Sequence, residues 1–154
     1  MKTTRKPLRI LAIMIGTLLI STPLFALGID QAKTTKISGS AMFKKAGEEG
    51  WNRLTVGAIL SQGDSLKTEA GSEVTMDLRG ANKTAQIVVR EKSQFIFKTF
   101  QHDEGSKVDT TLLDVSLGGV LVRAEKLVGS SKFEVKTPTS IVGIRGTTFE
   151  VKVD

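Results

Sequence analysis

A reacting centre needs side chains that can move protons, attack or hold a metal, and this chain carries few of them. It has one histidine, His102, and no cysteine. That excludes the common zinc ligand sets and a thiol–imidazole nucleophile. A serine nucleophile would have to borrow the same histidine, and no Gly-x-Ser-x-Gly elbow is present. His102 lies within Gln101 to Lys107, a charged stretch that reads as a solvated loop. Paired carboxylates occur at Glu48/Glu49 and Asp103/Glu104, but sequence neighbours do not face each other across a glycosidic bond. The last candidate is Gly143-Ile144-Arg145-Gly146-Thr147. Flanking glycines let backbone N–H groups converge on an anion, and an arginine forks onto phosphate or carboxylate. No helix follows, however, and no phosphate-loop lysine is present. The structural reading is a tight corner in which Arg145 satisfies nearby carbonyls or a carboxylate such as Asp64. The expectation is a protein without catalytic residues, cofactor or metal.

The elements around these residues read as strands. Glu73 to Arg79 alternates cleanly, with Val74, Met76 and Leu78 inward and Glu73, Thr75, Asp77 and Arg79 toward water. Gly80 to Lys83 turns the chain into a return strand from Thr84 to Arg90. Phe95 to Phe100 places Phe95 and Phe97 on one face. Asp109 to Leu117 is a strand that Gly118-Gly119 bends into a second, Val120 to Glu125. Thr35 to Lys44 reads as the first strand and Ala46 to Asn52 as a loop whose Trp51 reads as a core plug at the loop's end, with an exposed contact as the alternative. No stretch after residue 30 holds a 3.6-residue period, and turn signals recur every 8–12 residues. The fold class is therefore all-β, with short, mostly antiparallel strands in two packed layers. Sandwich, roll and solenoid-like stack all remain open.

The end of the chain is the most specific stretch. Lys132 to Lys136 alternates, and Pro138 stops pairing and pushes Thr137 into an extended conformation. Ile141 to Ile144 is a short apolar run. Thr148 to Val153 sets Phe149, Val151 and Val153 on one face. This succession, Val135-Lys136-Thr137-Pro138 and then Arg145-Gly146-Thr147-Thr148-Phe149-Glu150-Val151, resembles the C-terminal signature of the FecR-like family. Gly63-Asp64-Ser65-Leu66-Lys67-Thr68 is similar to that family's Gly-Asp turn and strand, and Ser116 to Val122 to its leucine-x-Gly-x-Val strand. The resemblance spans residues 37–154. It marks Thr137, Pro138, Gly143, Arg145, Gly146, Thr147 and Phe149 as signature positions, for structure or for partner contact.

The leader is equally readable. Lys2, Arg5, Lys6 and Arg9 precede a nearly all-apolar Leu8 to Ile20, and Ala26-Leu27-Gly28 supplies small residues for a signal peptidase. Residues 1–28 read as a signal peptide, or as an N-terminal anchor if uncleaved, and 29–36 as a polar tether. The whole chain has 22 basic and 16 acidic side chains, but four of the basic ones lie in the leader. What remains is close to neutral, at +2, so a nucleic-acid partner loses its electrostatic footing.

The family resemblance implies a periplasmic sensor domain in cell-surface signalling, held in a transmembrane regulator that grips a sigma factor and is signalled by an outer-membrane receptor. Only seven residues precede Leu8 and the sequence stops at Asp154. The expectation is therefore a stand-alone, non-catalytic module that binds a protein partner in the periplasm or at the membrane, with inner-membrane anchoring as the alternative location. A structural or glycan-binding role in the cell envelope is the alternative function.

Overall fold

A computed structural model describes residues 31–154 apart from 80–83, 104, 107, 125, 126, 128, 145 and 147. The leader therefore lies outside the described residues. The strands are β1 (Gln31–Ser38), β2 (Ala41–Lys44), β3 (Asn52–Arg53), β4 (Ile59–Leu60), β5 (Ser65–Thr68), β6 (Glu73–Arg79), β7 (Thr84–Val89), β8 (Gln94–Asp103), β9 (Val108–Arg123), β10 (Lys132–Lys136), β11 (Ile141–Ile144) and β12 (Thr148–Val153). The described residues contain no helix, so the all-β expectation holds. The main strand order is β3-β2-β5-β8-β9-β7-β6-β1-β4, one continuous path that curls into a half-barrel. Of the architectures left open, this is the roll-like one.

β9 is the spine. Its first half pairs with β8 and its second half with β7, both antiparallel. Along its length, β10 pairs parallel with the first half and β12 antiparallel with the second. Apart from the β10 pairing, every ladder is antiparallel, as expected. The sequence of β9 shows how the bend is made. Thr111, Leu113 and Val115 are buried at period two, and the next inward residues are Val120 and Val122, a slip of one position. Gly118 absorbs it with φ of +80°, a conformation side chains avoid. Leu117, which strict alternation would bury, is instead 50 % exposed. Such a bulge re-aims the strand and increases its twist, which is what a curling sheet requires.

The same device recurs in β8, where the register shifts between Phe97 and Thr99. Phe95 and Phe97 are buried before the shift and Phe100 after it. The three rings pack together, edge-on between Phe95 and Phe97 (5.1 Å) and stacked between Phe97 and Phe100 (5.7 Å). Both halves of the sheet feed one core that also holds Leu60, Leu66, Val74, Met76, Ile87, Leu113 and Val135. With so little aromatic bulk, Val, Ile and Leu fill most of the space.

Three local expectations need correcting. The stretch read as a tether, 29–36, is from Gln31 onward part of β1, with Ala32 and Thr34 fully buried against β6. Its polar letters hid a strand because a bulge between Thr34 and Lys36 breaks the alternation. Gln101 to Asp103 is not loop but the end of β8. The bulge turns His102 inward, leaving its side chain only 3 % exposed. Trp51 is not a core plug: it is half-buried just before β3, outside the core cluster.

Candidate functional site

Three corners carry the polar order of the domain. In the first, Gly63 (φ +88°) and Asp64 make the turn into β5. Asp64 is 2 % exposed. Its carboxylate accepts N–H bonds from Ala46 (3.0 Å) and Ser61 (2.9 Å) and pairs with Lys45 Nζ at 2.7 Å. A Cβ on Gly63 would press on Ala46 Cβ at 2.7 Å, so this position takes only glycine for reasons of both space and conformation. Asp64 thus has its own partners. Arg145, for which it was a candidate acceptor, lies outside the described residues, as does Thr147.

The second corner is the bulge of β9. A Cβ on Gly118 would sit 2.5 Å from Ser93 Cα and 2.6 Å from Lys92 O. Ser93 Oγ accepts the N–H of Gly119 (2.9 Å) and donates toward Gly119 O (3.1 Å), while Ser93 N donates to Thr68 Oγ1 (3.0 Å). Buried hydroxyls therefore repair the ladder where the bulge breaks it. Gly119 also clears a path for the stem of Arg90, whose Cγ would lie 3.2 Å from a Cβ there. The Arg90 guanidinium reaches Glu150 on β12 (3.1 Å) and Glu73 on β6 (2.6 Å). The bond to Glu150, and then the one to Glu73, hold its pKa above the ordinary arginine value. The Arg90 bridge and the two glycines border an open cleft of about 810 Å³, lined also by Leu117 and Val153.

The third corner is the signature itself. Thr137 is buried, and its Oγ1 accepts the N–H of Ser140 (3.0 Å) while its own N–H donates to Ser140 O (2.8 Å). Thr137-Pro138 is thus the hairpin turn that aligns β11 on β10. Gly146 has φ of +89°, as its place in the corner suggests. Gly143 does not share that role. It is an exposed strand residue opposite Glu134, with open space where a Cβ would be and no left-handed φ. The strand leading into the corner is mostly exposed, at Ile141, Val142 and Gly143. Phe149 is partly buried against the core, with Val151 buried beside it.

No catalytic constellation forms among the described residues. His102 Nδ1 meets Asp109 Oδ1 at 2.7 Å, a cross-strand pair on β8 and β9. No group of three or more metal-ligating side chains occurs among the described residues. Arg90, Glu73, Glu150, Ser93 and Thr68 were not legible beforehand, because their partners lie 17 to 60 residues away and no local motif links them. The Gly118-Gly119 pair was the one visible signal.

Compared with known proteins, the sequence matches the FecR protein family over residues 64–154, from the Gly-Asp turn to the last strand. The chain belongs to the FecR protein family. No curated protein and no solved structure matches it. FecR proteins are known from regulators of cell-surface signalling, where they interact with other proteins, and they are not a known enzyme family. FecR domains are typically periplasmic. Among the described residues, no helix is long and apolar enough to cross a membrane.

Proposed function

We propose that this FecR protein is an exported, non-catalytic sensor or binding module that contacts a protein partner in the periplasm or at the membrane, and that the partner adds a strand to the free edge of β11. The observation that carries the reading is the state of that edge. β11 pairs with β10 and with no other described strand. Ile141 is 62 % exposed, Val142 is exposed as well, and Gly143 leaves room for a backbone to approach. An apolar, unguarded edge of this kind is a template for another strand, and main-chain hydrogen bonding to it supplies affinity while the side chains supply selectivity. The signature residues act as its frame: Thr137 and Pro138 fix the start of β11, and Gly146 and Phe149 fix the chain that leaves it. Arg145 and Thr147 complete the motif in sequence.

Export rests on the basic start, short apolar core and small residues of 1–28. N-terminal sequencing of protein recovered from the periplasm should find a chain beginning near Gly28, and a chain still starting at Met1 would make the segment an anchor. The protein contains no cysteine, so Val142→Cys introduces a unique attachment point for a photo-crosslinker. Crosslinking in cells should give a discrete protein adduct that disappears when Ile141→Lys is added. An adduct that survives Ile141→Lys, or recovery of cell-wall polymer instead of protein, would defeat the edge-pairing reading.

A further inference from the structure

The one tryptophan stands where the core does not need it. Trp51 immediately precedes β3, and β3 pairs with β2 so that Arg53 faces Met42. Lys67 on β5 faces Met42 from the other side. Residues paired across an antiparallel ladder, and those two positions along it, share a face. Trp51, Arg53, Met42, Lys44 and Lys67 therefore lie together on the outer surface at the β3 end of the sheet. The contacts bear this out, with the Lys67 ammonium 4.7 Å and the Lys44 ammonium 5.6 Å from the indole centroid. Among the described residues neither ammonium has a carboxylate within ion-pair distance, in contrast to Lys45, Lys136 and Lys152. Arg53 is exposed next to them.

Holding two like charges against one ring without a counter-charge is favourable to an anion placed between them. The indole quadrupole supports each ammonium modestly and neutralises neither. A ligand that suits the face has spaced anionic groups for the cations and flat C–H surface for the indole. We propose that Trp51, Lys44, Lys67 and Arg53 form a binding site for an acidic polysaccharide, a sugar chain bearing carboxylates. A nucleic acid also has anions and flat rings, but it needs a broader basic face than a chain with a net charge near +2 after its leader offers. This site is separate from the β11 edge, which lies beyond β5, β8, β9 and β10 in the strand order.

Trp51 is the sole tryptophan, so its emission reports this site alone. Titration of the purified chain with polygalacturonate should change that emission saturably, and about 0.5 M salt should abolish the change by screening. Neutral dextran should leave it unaltered. The Lys44→Gln/Lys67→Gln variant should bind about tenfold more weakly, the effect of losing two exposed ion contacts, with its thermal melt unchanged. Were that variant to fold poorly, Arg53→Gln at an exposed position offers the same comparison. Absence of a saturable change, an equal response to dextran, or full affinity in the charge variants would overturn the proposal. Tighter binding of a poly-deoxythymidine strand than of polygalacturonate would replace it with a nucleic-acid site.

Discussion

The Gly63-Asp64 turn offers the sharpest test of how the domain is held together. Asp64→Ala removes a carboxylate that is 2 % exposed and serves three donors. An orphaned buried donor costs about 1–3 kcal/mol. The Ser61 N–H loses its partner in a half-buried setting, whereas Ala46 is exposed and water recovers part of that loss. The Lys45 side chain, 38 % exposed, keeps its bond to Ile59 O (2.9 Å) and can return to solvent, so it adds little. The sum is about 3 kcal/mol, a large share of the 5–15 kcal/mol that roughly bounds a domain of ordinary stability. Lys45→Met should cost about 1 kcal/mol or less, because the carboxylate keeps both backbone donors. Asp64→Asn should fall between the two, since its amide retains one acceptor oxygen. Urea titrations followed by far-UV circular dichroism measure all three. The reasoning fails if Asp64→Ala costs no more than Lys45→Met, for then the backbone donors, and not the ion pair, are the part that was misjudged.

Other outcomes follow from the remaining corners. Gly118→Ala should destabilise by at least about 3 kcal/mol, combining a left-handed backbone cost of about 1–2 with a clash against the Ser93 backbone; a melt within a degree or two of wild type would mean that β9 can relax its bulge. Arg90→Met should cost about 1 kcal/mol or less despite its two ion pairs, because all three partners are roughly half exposed; a larger loss in a urea titration would make the Glu73–Arg90–Glu150 bridge structural. Asp103 accepts N–H bonds from Ser106 and Gly105, which hold its pKa below the usual carboxylate range. Its support of the β8–β9 turn is therefore complete above that range and is lost as pH falls through the lowered pKa. Carboxyl carbon titration by NMR, with the Gly105 and Ser106 amides shifting in step, should show it, and titration at or above the ordinary value would contradict it.

How far the sequence could be read depended on the alternation of its strands. β6 and β12 were legible because each keeps period two from end to end. β1, β8 and β9 each contain a register shift, and at β1 and β8 the reading failed in the same way. At β1 polar letters looked like a tether, and at β8 a buried histidine looked like a loop residue. Only at β9 did the sequence announce the slip, because the bulge there uses a Gly-Gly pair instead of ordinary residues. Trp51 was misplaced for a different reason. A large aromatic residue is usually buried, and nothing local reveals that two lysines on neighbouring strands will lie beside its ring instead. The corner ligands of Asp64 and Ser93 are long-range facts that a local pattern does not contain.

Two long edges of the sheet remain unpaired among the described strands, β11 and β12, and they are not equivalent as docking sites. β12 presents Thr148, Glu150 and Lys152 to solvent, and Glu150 is already tied to Arg90. Charges of this kind are how sheets discourage unwanted pairing, since a strand arriving there would have to desolvate them. β11 has no charged residue between Ile141 and Ile144, and three of its four residues are exposed. The charges nearest to it in register, Lys136 and Glu134, belong to β10, and the Lys136 ammonium lies 3.7 Å from the Asp114 carboxylate. A strand adding to β11 would therefore bury apolar surface without breaking an ion pair, whereas one adding to β12 would disturb the Arg90 bridge. Elsewhere the domain satisfies its exposed turns with side-chain acceptors, at Asp64, Asp103 and Thr137. On the proposed reading a partner strand covers this edge, and the contrast with β12 makes β11 the edge to test first.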